Sequence, residues 1–449
     1  MKNIHFIAVG GAVMHQLALA LQRAGNTVTG SDDDIADPAK SNLQAAGLLP
    51  SELGWYPDRI TKELDAVVLG MHAKDGNPEL KRAQELGVPV YSFPEYVYEV
   101  SRDKQRVVVA GSHGKTTITS MIMHVLKAHR RFDYLVGARV PGFSDSVQLS
   151  DAPVIVLEGD EYPASAIERR PKIHFYKPHI SVLSGIAWDH VNVFPTYENY
   201  LEQFAIYLRE MEAGSELIYN REDAEVVKLV EAHGQHLKLA AYGTPRYHYD
   251  DGTAVLDTEE GEVRLQLFGS HNLLNSEAAR AVCRSLGVSD AEFNHGIADF
   301  TGAARRLEKL FERGGIVAFR DFAHAPSKLK ATLDAVREAY PAHALVALFE
   351  LHTYSSLSEN FLAEYAGSMG AADVPIVYFS SHALHIKGLP PLNPDSVRKH
   401  FGRGDLQVFS SPKELVTAVN EAVNTDQKPV CLLLMSSGTF DGVSWDDVV

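Results

Sequence analysis

Short β-branched and aliphatic runs alternate with stretches of helical apolar spacing along most of this 449-residue chain. A strand buried on both faces reads as a continuous apolar run and a packed helix as a stripe of period 3.6, so the alternation predicts parallel sheets flanked by helices. Ile4 to Val9 predicts the first strand, and Gly10-Gly11 then leads into a helix with Met14, Leu17, Ala18 and Leu21 on one face. Thr27 to Thr29 and Ala66 to Leu69 supply two further strands, and the polar stretch Ser101 to Gln105 reads as a linker.

A second series starts with Arg106 to Ala110 and continues through GSHGKTT into a helix carrying Ile118, Met121, Ile122, Val125 and Leu126. Val154 to Leu157, ending at Glu158, and Ile180 to Leu183, ending shortly before Asp189-His190, are its next strands. Between residues 234 and 268 the runs LKLAAYG, YHYDDG and EVRLQLFG predict an antiparallel appendage. A third series has strands at Ile316 to Phe319, Ala344 to Leu348, Ile376 to Phe379 and Val430 to Met435. The expected class is therefore α/β, with domains at residues 1–103, 104–302 and 303–449.

Composition narrows the function. Hydrophobic residues at 45% and charged residues at 22% are ordinary globular values and exclude disordered or collagen-like classes. With 42 basic against 58 acidic residues the net charge is −16, and no basic run offers counterion-release affinity, so no nucleic-acid partner is expected. Two cysteines, Cys283 and Cys431, cannot build a disulfide framework or a thiolate metal cage, which fits a cytoplasmic setting. The first residues run straight into a strand, and no apolar stretch approaches the roughly 20 residues that span a bilayer, so no membrane association is expected.

Gly111-Ser-His-Gly-Lys-Thr-Thr117 lies between a predicted strand and a predicted helix. Gly111 and Gly114 let the backbone N–H groups curl around a polyphosphate, Lys115 reaches its terminal phosphates, and Thr116 can hold Mg²⁺. The loop departs from the standard Walker spacing at Val109, and the competing reading is a turn that only caps a helix. If the strands are parallel, Glu158 and His190 share the carboxyl edge of the sheet with this loop and form, with Thr116, a candidate divalent-metal set. Taken singly, each reads as solvated or structural.

The first glycine loop lacks the dinucleotide fingerprint, having Ala8 and Val13 where glycines belong, which disfavours a nicotinamide site. It suits a nucleotide-sugar phosphate, with Asp32 placed to meet a ribose or pyrimidine. GSHNLLN, residues 269–275, opens a helix with residues that also serve as plain caps. Arg305-Arg306 and Asp321-Phe-Ala-His324-Ala-Pro326 offer a guanidinium for phosphate charge and a carboxylate for a ribose, against a default of solvated surface charge.

The set GG…M…GSD, GSHGKTT, EGDEY, WDH, GSHNLLN, GAARRLE, DFAHAP and MSSGTFDG resembles the Mur ligases, ATP-dependent amide-forming enzymes of peptidoglycan metabolism, over nearly the whole chain. The resemblance implies a Rossmann-like N-terminal domain for a UDP-sugar, a P-loop ATPase central domain, and a Rossmann-like C-terminal domain for the amine substrate and closure. It is strongest to the members that attach a preformed murein peptide to UDP-N-acetylmuramate, through Val13, Glu168-Arg-Arg, Lys172-Ile-His-Phe-Tyr and Met435 to Phe440. His352-Thr-Tyr354-Ser355 is instead similar to the members that attach L-alanine.

By the same resemblance Gly111, Ser112, His113, Gly114, Lys115, Thr116 and Thr117 clamp ATP, and Thr116, Glu158 and His190 hold Mg²⁺. His271, Asn272 and Asn275 lie toward adenine, while Arg306 and Asp321 reach the γ-phosphate and ribose. Gly10, Gly11, Ser31, Asp32 and His72 bind UDP-N-acetylmuramate. Lys115, Glu158, His190 and Arg306 are the implied catalytic residues. The lactyl carboxylate attacks the γ-phosphate, and the acyl phosphate is taken by the amine of L-alanyl-γ-D-glutamyl-meso-diaminopimelate, in peptidoglycan recycling.

Two departures stand out. The family's Asp-Asp-x-x-His-His-Pro is here Arg320-Asp321-Phe-Ala-His324-Ala325-Pro326, one acid and one histidine short. Phe204 occupies the position of a carbamylated lysine in other members, so no carbamate is expected. The competing functions are an L-alanine ligase, a nucleotide-sugar dehydrogenase, and a ligase-derived binding protein without catalysis. Because both substrates are anionic, the charge of −16 predicts a local basic cleft in an acidic exterior. The sequence carries no sign of oligomeric state.

Overall fold

The first apolar run becomes strand β1 (Asn3–Ile7), with β2 (Thr27–Ser31), β3 (Ala66–Leu69) and β4 (Val90–Ser92) completing a parallel sheet of order β2-β1-β3-β4. The computed structural model describes every residue except 75, 189–192, 251, 304, 425–428 and 446–449. The chain forms two units: residues 1–186, 198–243 and 278–293 in one, 187–197, 244–277 and 294–449 in the other. β1 is shorter than its apolar run because Ala8 takes φ 66° and the N–H groups of Ala8 and Val9 both turn to the Ser31 carbonyl.

The rest of the first unit is built on a seven-stranded sheet. Its strands are β5 (Gln105–Ala110), β6 (Asp133–Leu135), β7 (Val147–Gln148), β8 (Val154–Glu158), β9 (Ile180–Leu183), β10 (Glu216–Asn220) and β11 (Lys238–Tyr242). The order is β11-β10-β9-β5-β8-β6-β7, and every pair is parallel except β6 with β7. Val107 to Ala110 and Ile155 to Leu157 are fully buried between helices, as continuous apolar runs require. LKLAAYG was expected in the antiparallel appendage, but it forms β11, parallel to β10. As an edge strand it is mostly exposed, which gives it the alternating look of a hairpin.

Residues 101–105, expected as a linker, are tied down. Arg106 is buried and donates from Nη1 to the carbonyls of Ser101 (2.9 Å) and Arg102 (3.0 Å), and from Nε to that of Lys177 (2.9 Å). Its guanidinium also lies 5.1 Å from the centre of the Tyr98 ring. Lys104 pairs with buried Asp133 at 2.9 Å.

The second unit holds an antiparallel sheet, β12 (Tyr247–Asp250), β13 (Thr253–Thr258) and β14 (Gly261–Arg264), and a six-stranded one. The latter comprises β15 (Glu308–Arg313), β16 (Ile316–Asp321), β17 (Ala344–Leu351), β18 (Val374–Phe379), β19 (Gln407–Phe409) and β20 (Val430–Met435), in the order β15-β16-β20-β17-β18-β19. Only β15 runs antiparallel. Val346, Leu348, Ile376, Leu432 and Leu434 pack with Leu415 and Val419 of the helix Pro412–Val423 to form a core on one face. No described helix is long and apolar enough to cross a membrane.

Candidate active site

The phosphate loop leaves the carboxyl end of β5, the central strand of the first unit's larger sheet. Gly111 has φ 121°, and a Cβ there would collide with Ser184 Oγ and stand 2.9 Å from the Gly185 carbonyl oxygen. Gly114, at φ 75°, precedes the helix Lys115–Leu126, so both glycines occupy backbone that other residues reach only with strain. Ser112 N–H donates to the Gly185 carbonyl at 2.8 Å, and Ser112 Oγ lies 2.7 Å from the Tyr200 hydroxyl. His113 gives its carbonyl to Ser184 Oγ, and Thr117 is buried in the first helical turn.

Lys115, Thr116 and Glu158 meet here. Thr116 Oγ1 donates to Glu158 Oε1 at 2.6 Å, and Gly137 N–H donates to Glu158 Oε2, also at 2.6 Å. Lys115 Nζ donates to the Gly111 carbonyl at 2.6 Å and to Glu161 Oε2 at 2.7 Å. Burial works against the lysine charge, but Glu161, Asp160 and Glu158 together outweigh it and hold Lys115 above its ordinary value. Glu161 was not singled out from the sequence, although EGDEY contains it; nothing in that motif says which acid faces the loop. The neighbourhood sets Lys115 and Lys172 against Glu158, Asp160 and Glu161, with Lys172 held by Asp160 at 2.8 Å. The expected local excess of basic side chains is therefore not found at this loop. Positive potential comes instead from backbone N–H groups and the helix N-terminus. Asp189 and His190 lie outside the described residues. Phe204 is buried edge-to-face against Tyr200, with ring centres 5.2 Å apart.

A cavity of about 530 Å³ in the same unit is lined by Gly10, His15, Asp37, Asn42, Arg139 and Ser146, among others. Gly11 precedes the helix Ala12–Arg23, and His15 Nδ1 lies 2.9 Å from the Gly11 carbonyl oxygen. Asp32 is fully buried and accepts from the backbone N–H of Gly10 (2.7 Å) and of Asp33 (2.9 Å), so its carboxylate shapes the loop from beneath. Burial raises the Asp32 pKa, against the lowering effect of these donors. Ser31 is also fully buried and accepts from Arg59 Nη1 at 3.2 Å, whereas His72 is exposed on the turn after β3. Arg139, missed in the sequence, follows Gly137 on the loop between β6 and β7.

The second unit gathers the remaining residues. His271, Asn272 and Asn275 lie on the first turns of the helix Ser270–Ser285, where Asn272 Nδ2 donates to the Phe268 carbonyl at 3.0 Å. His271 Nδ1 is buried without a hydrogen-bond partner among the described residues; burial lowers the ring's pKa, and the Asp321 charge opposes that shift. Asp321, at the end of β16, accepts from Leu307 N–H (2.7 Å), Ala323 N–H (2.9 Å) and Thr332 Oγ1 (3.1 Å). Arg306 stacks over Phe322 at 4.9 Å, between Arg305 and Leu307, which both take positive φ. Arg320 pairs with its cross-strand neighbour Glu308 at 2.9 Å; Ala325 precedes the helix Pro326–Ala339. His352 and the segment Met435 to Phe440 meet at the carboxyl ends of adjacent β17 and β20. There buried Glu350 accepts from Ser436 Oγ and from Phe440 N–H at 2.9 Å, and lies 3.5 Å from His352 Nδ1.

Residues 3–105, 109–283 and 305–438 match, in turn, the Mur ligase family catalytic domain, the Mur ligase middle domain and the Mur ligase glutamate ligase domain. The UDP-N-acetylmuramate-L-alanine ligase of Arthrobacter sp. (strain FB24) is 32% identical over 388 residues, covering 84% of this chain and 80% of its own. The UDP-N-acetylmuramate-L-alanyl-γ-D-glutamyl-meso-2,6-diaminoheptandioate ligase of Escherichia coli (strain K12) is 28% identical, covering 98% of this chain and 96% of its own. In structure, the UDP-N-acetylmuramate-alanine ligase of Thermotoga maritima aligns with a TM-score of 0.71 at 22% identity, over 98% of this chain and 97% of that one. Fold, phosphate loop and these likenesses define an ATP-dependent amide ligase that forms a C–N bond. The chain belongs to the Mur ligase family.

Proposed function

We propose that this ligase joins the lactyl carboxylate of UDP-N-acetylmuramate to the amine of L-alanyl-γ-D-glutamyl-meso-diaminopimelate through an acyl phosphate, in peptidoglycan recycling. The cluster of Lys115, Thr116 and Glu158 at the phosphate loop carries the reading. The residues fit magnesium: the Thr116 hydroxyl and Glu158 carboxylate are hard oxygen donors 2.6 Å apart, and the three nearby carboxylates oppose a triphosphate unless a dication joins it. When bound, magnesium offsets the repulsion between ATP and the attacking carboxylate. Lys115 exchanges Glu161 for phosphate oxygen, while the N–H groups of residues 112–117 orient the chain of phosphates. The cavity at Gly10 and His15 takes the nucleotide sugar, with Arg139 beside its anionic groups. By the family resemblance we assign His271, Asn272, Asn275, Arg306 and Asp321 to nucleotide binding and His190 to the metal set. Both cysteines are buried and free, which supports a cytoplasmic setting.

The turn Met435 to Phe440 supports a murein peptide as the amine, while His352 and Tyr354 beside it support L-alanine as a second reading. Phosphate release with UDP-N-acetylmuramate, ATP and either L-alanine, the dipeptide or the tripeptide separates them. Fast turnover with the tripeptide is expected, and turnover with L-alanine alone selects the second reading. Lys115→Ala and Glu158→Ala should each abolish release with the fold intact. Full activity in either variant sinks the assignment, and no release with any amine points to a binding protein.

A further inference from the structure

A second cavity in the first unit, of about 310 Å³, is used by none of the chemistry above. Lys127, Arg130 and Arg131 line it together with Phe132, Tyr134 and Phe143, and no lining residue is acidic. That is a marked local reversal in a chain of net charge −16. The three rings pack against one another: Tyr134 and Phe143 are edge-to-face at 5.2 Å, and Phe132 is 6.0 Å from Tyr134 and 6.2 Å from Phe143. Lys127 Nζ sits 5.5 Å from the Phe143 ring centre. Arg131 pairs with Asp151, whereas Arg130 has no carboxylate partner among the described residues. The helix Lys115–Leu126 ends here, and its dipole explains a cation at Lys127. It does not explain Arg131 on the next segment or the half-buried Phe143 ring. The volume falls at the small end of ligand pockets.

Phe132 and Tyr134 are buried beneath Phe143, which is the ring of the three left half-buried at the cavity. We infer that this cavity is a second nucleotide site, taking a planar base against Phe143 and its phosphates on Lys127, Arg130 and Arg131. The site is distinct from the phosphate loop but connected to it twice. The helix that begins at Lys115 ends at its rim. Two residues past the end of strand β6, which carries Tyr134, is Gly137, whose N–H holds Glu158. The loop between β6 and β7 also lines the larger cavity, with Ser144 facing both.

Photolabelling the full chain tests the assignment without an activity readout. The probes are 8-azido-ADP and 5-azido-UDP, with mass spectrometry of the peptide spanning residues 131–150 that counts only label assigned to Phe143 or Gln148, because residues 137–139 and 144–146 also line the larger cavity. Labelling by at least one probe is expected; which base labels distinguishes an adenine from a uracil source. The Lys127→Gln/Arg130→Gln variant should lose at least tenfold of this label, and Lys115→Ala should retain it. A charge-only variant of exposed side chains should fold; if its thermal midpoint nonetheless falls, Phe143→Leu should lower labelling in its place. Absence of label in this peptide with both probes, or undiminished label in these variants, overturns the site. Loss of the label in Lys115→Ala assigns it to the phosphate loop and also overturns it, whatever the outcome of the ligase assay. Equal competition by tripolyphosphate and by UDP or ADP would overturn the base-binding part.

Discussion

Replacing Glu161 by Gln isolates what holds Lys115 before ATP arrives. The two charges stand 2.7 Å apart, with side chains 14% and 1% exposed. At an effective dielectric of 20, Coulomb attraction at that distance is about 6 kcal/mol, much of it spent against desolvation. Removing one partner from a buried pair costs about 3 to 5 kcal/mol. Glutamine retains an accepting oxygen, so the lower end applies. At about 2 to 4 °C per kcal/mol for a unit of this size, the midpoint should fall by about 8 °C in calorimetry. The sign of the pH dependence is fixed by Lys115, whose folded value is raised above 10.5. Its contribution is complete below that ordinary value and is lost as the pH climbs through the raised one. The gap between wild type and variant should therefore be level from pH 7 to about 10 and narrow above it. ADP, which brings negative charge back to the lysine, should restore more stability to the variant than to wild type. A midpoint within about 1 °C of wild type at pH 7 would refute the reasoning.

Gly111→Ala forces a side chain onto φ 121° and into Ser184; a cost of about 1 to 3 kcal/mol and ADP binding weakened at least tenfold are expected, by calorimetry and titration. Asp321→Asn turns an amide N–H toward donors now satisfied at 2.7 and 2.9 Å, and should cost the second unit about 1 to 3 kcal/mol in urea unfolding. Burial depresses the His174 pKa; its Nε2 meets the Gln203 carbonyl at 2.8 Å while Nδ1 has no acceptor for a second proton among the described residues. Stability should be full above about pH 6.5 and fall as acid charges the unfolded ring first, and His174→Gln should flatten that limb in urea midpoints. Parallel curves would contradict it.

What the sequence disclosed was set by how local each signal is. β3, β9 and β20 match their apolar runs residue for residue, because a strand buried on both faces needs no partner to be visible. β11 was assigned the wrong pairing because an edge strand and a hairpin strand alternate alike. The phosphate loop was legible from its glycines and lysine, since backbone geometry demands them. Glu161, Tyr200 and Gly137 were not, because each acts through a contact made across 20 or more residues of chain. For Asp32 and Asp321 the acid was legible but its backbone donors were not, because only the folded loops bring those N–H groups to each carboxylate. Arg320 read as the loss of an acid; opposite Glu308 it is one half of a cross-strand pair.

Arg106 turns the junction near residue 103 from slack chain into a rivet. A twist applied to the four-stranded sheet passes through one guanidinium and its carbonyl partners into the seven-stranded sheet instead of dissipating in a tether. Cutting the gene at residue 103 would thus not release a self-contained module. The fragment would carry the Ser101 and Arg102 carbonyls and the Tyr98 ring to its new end, stripped of the cation that covers them. A dissection of this ligase into working parts should keep β1 through β11 together.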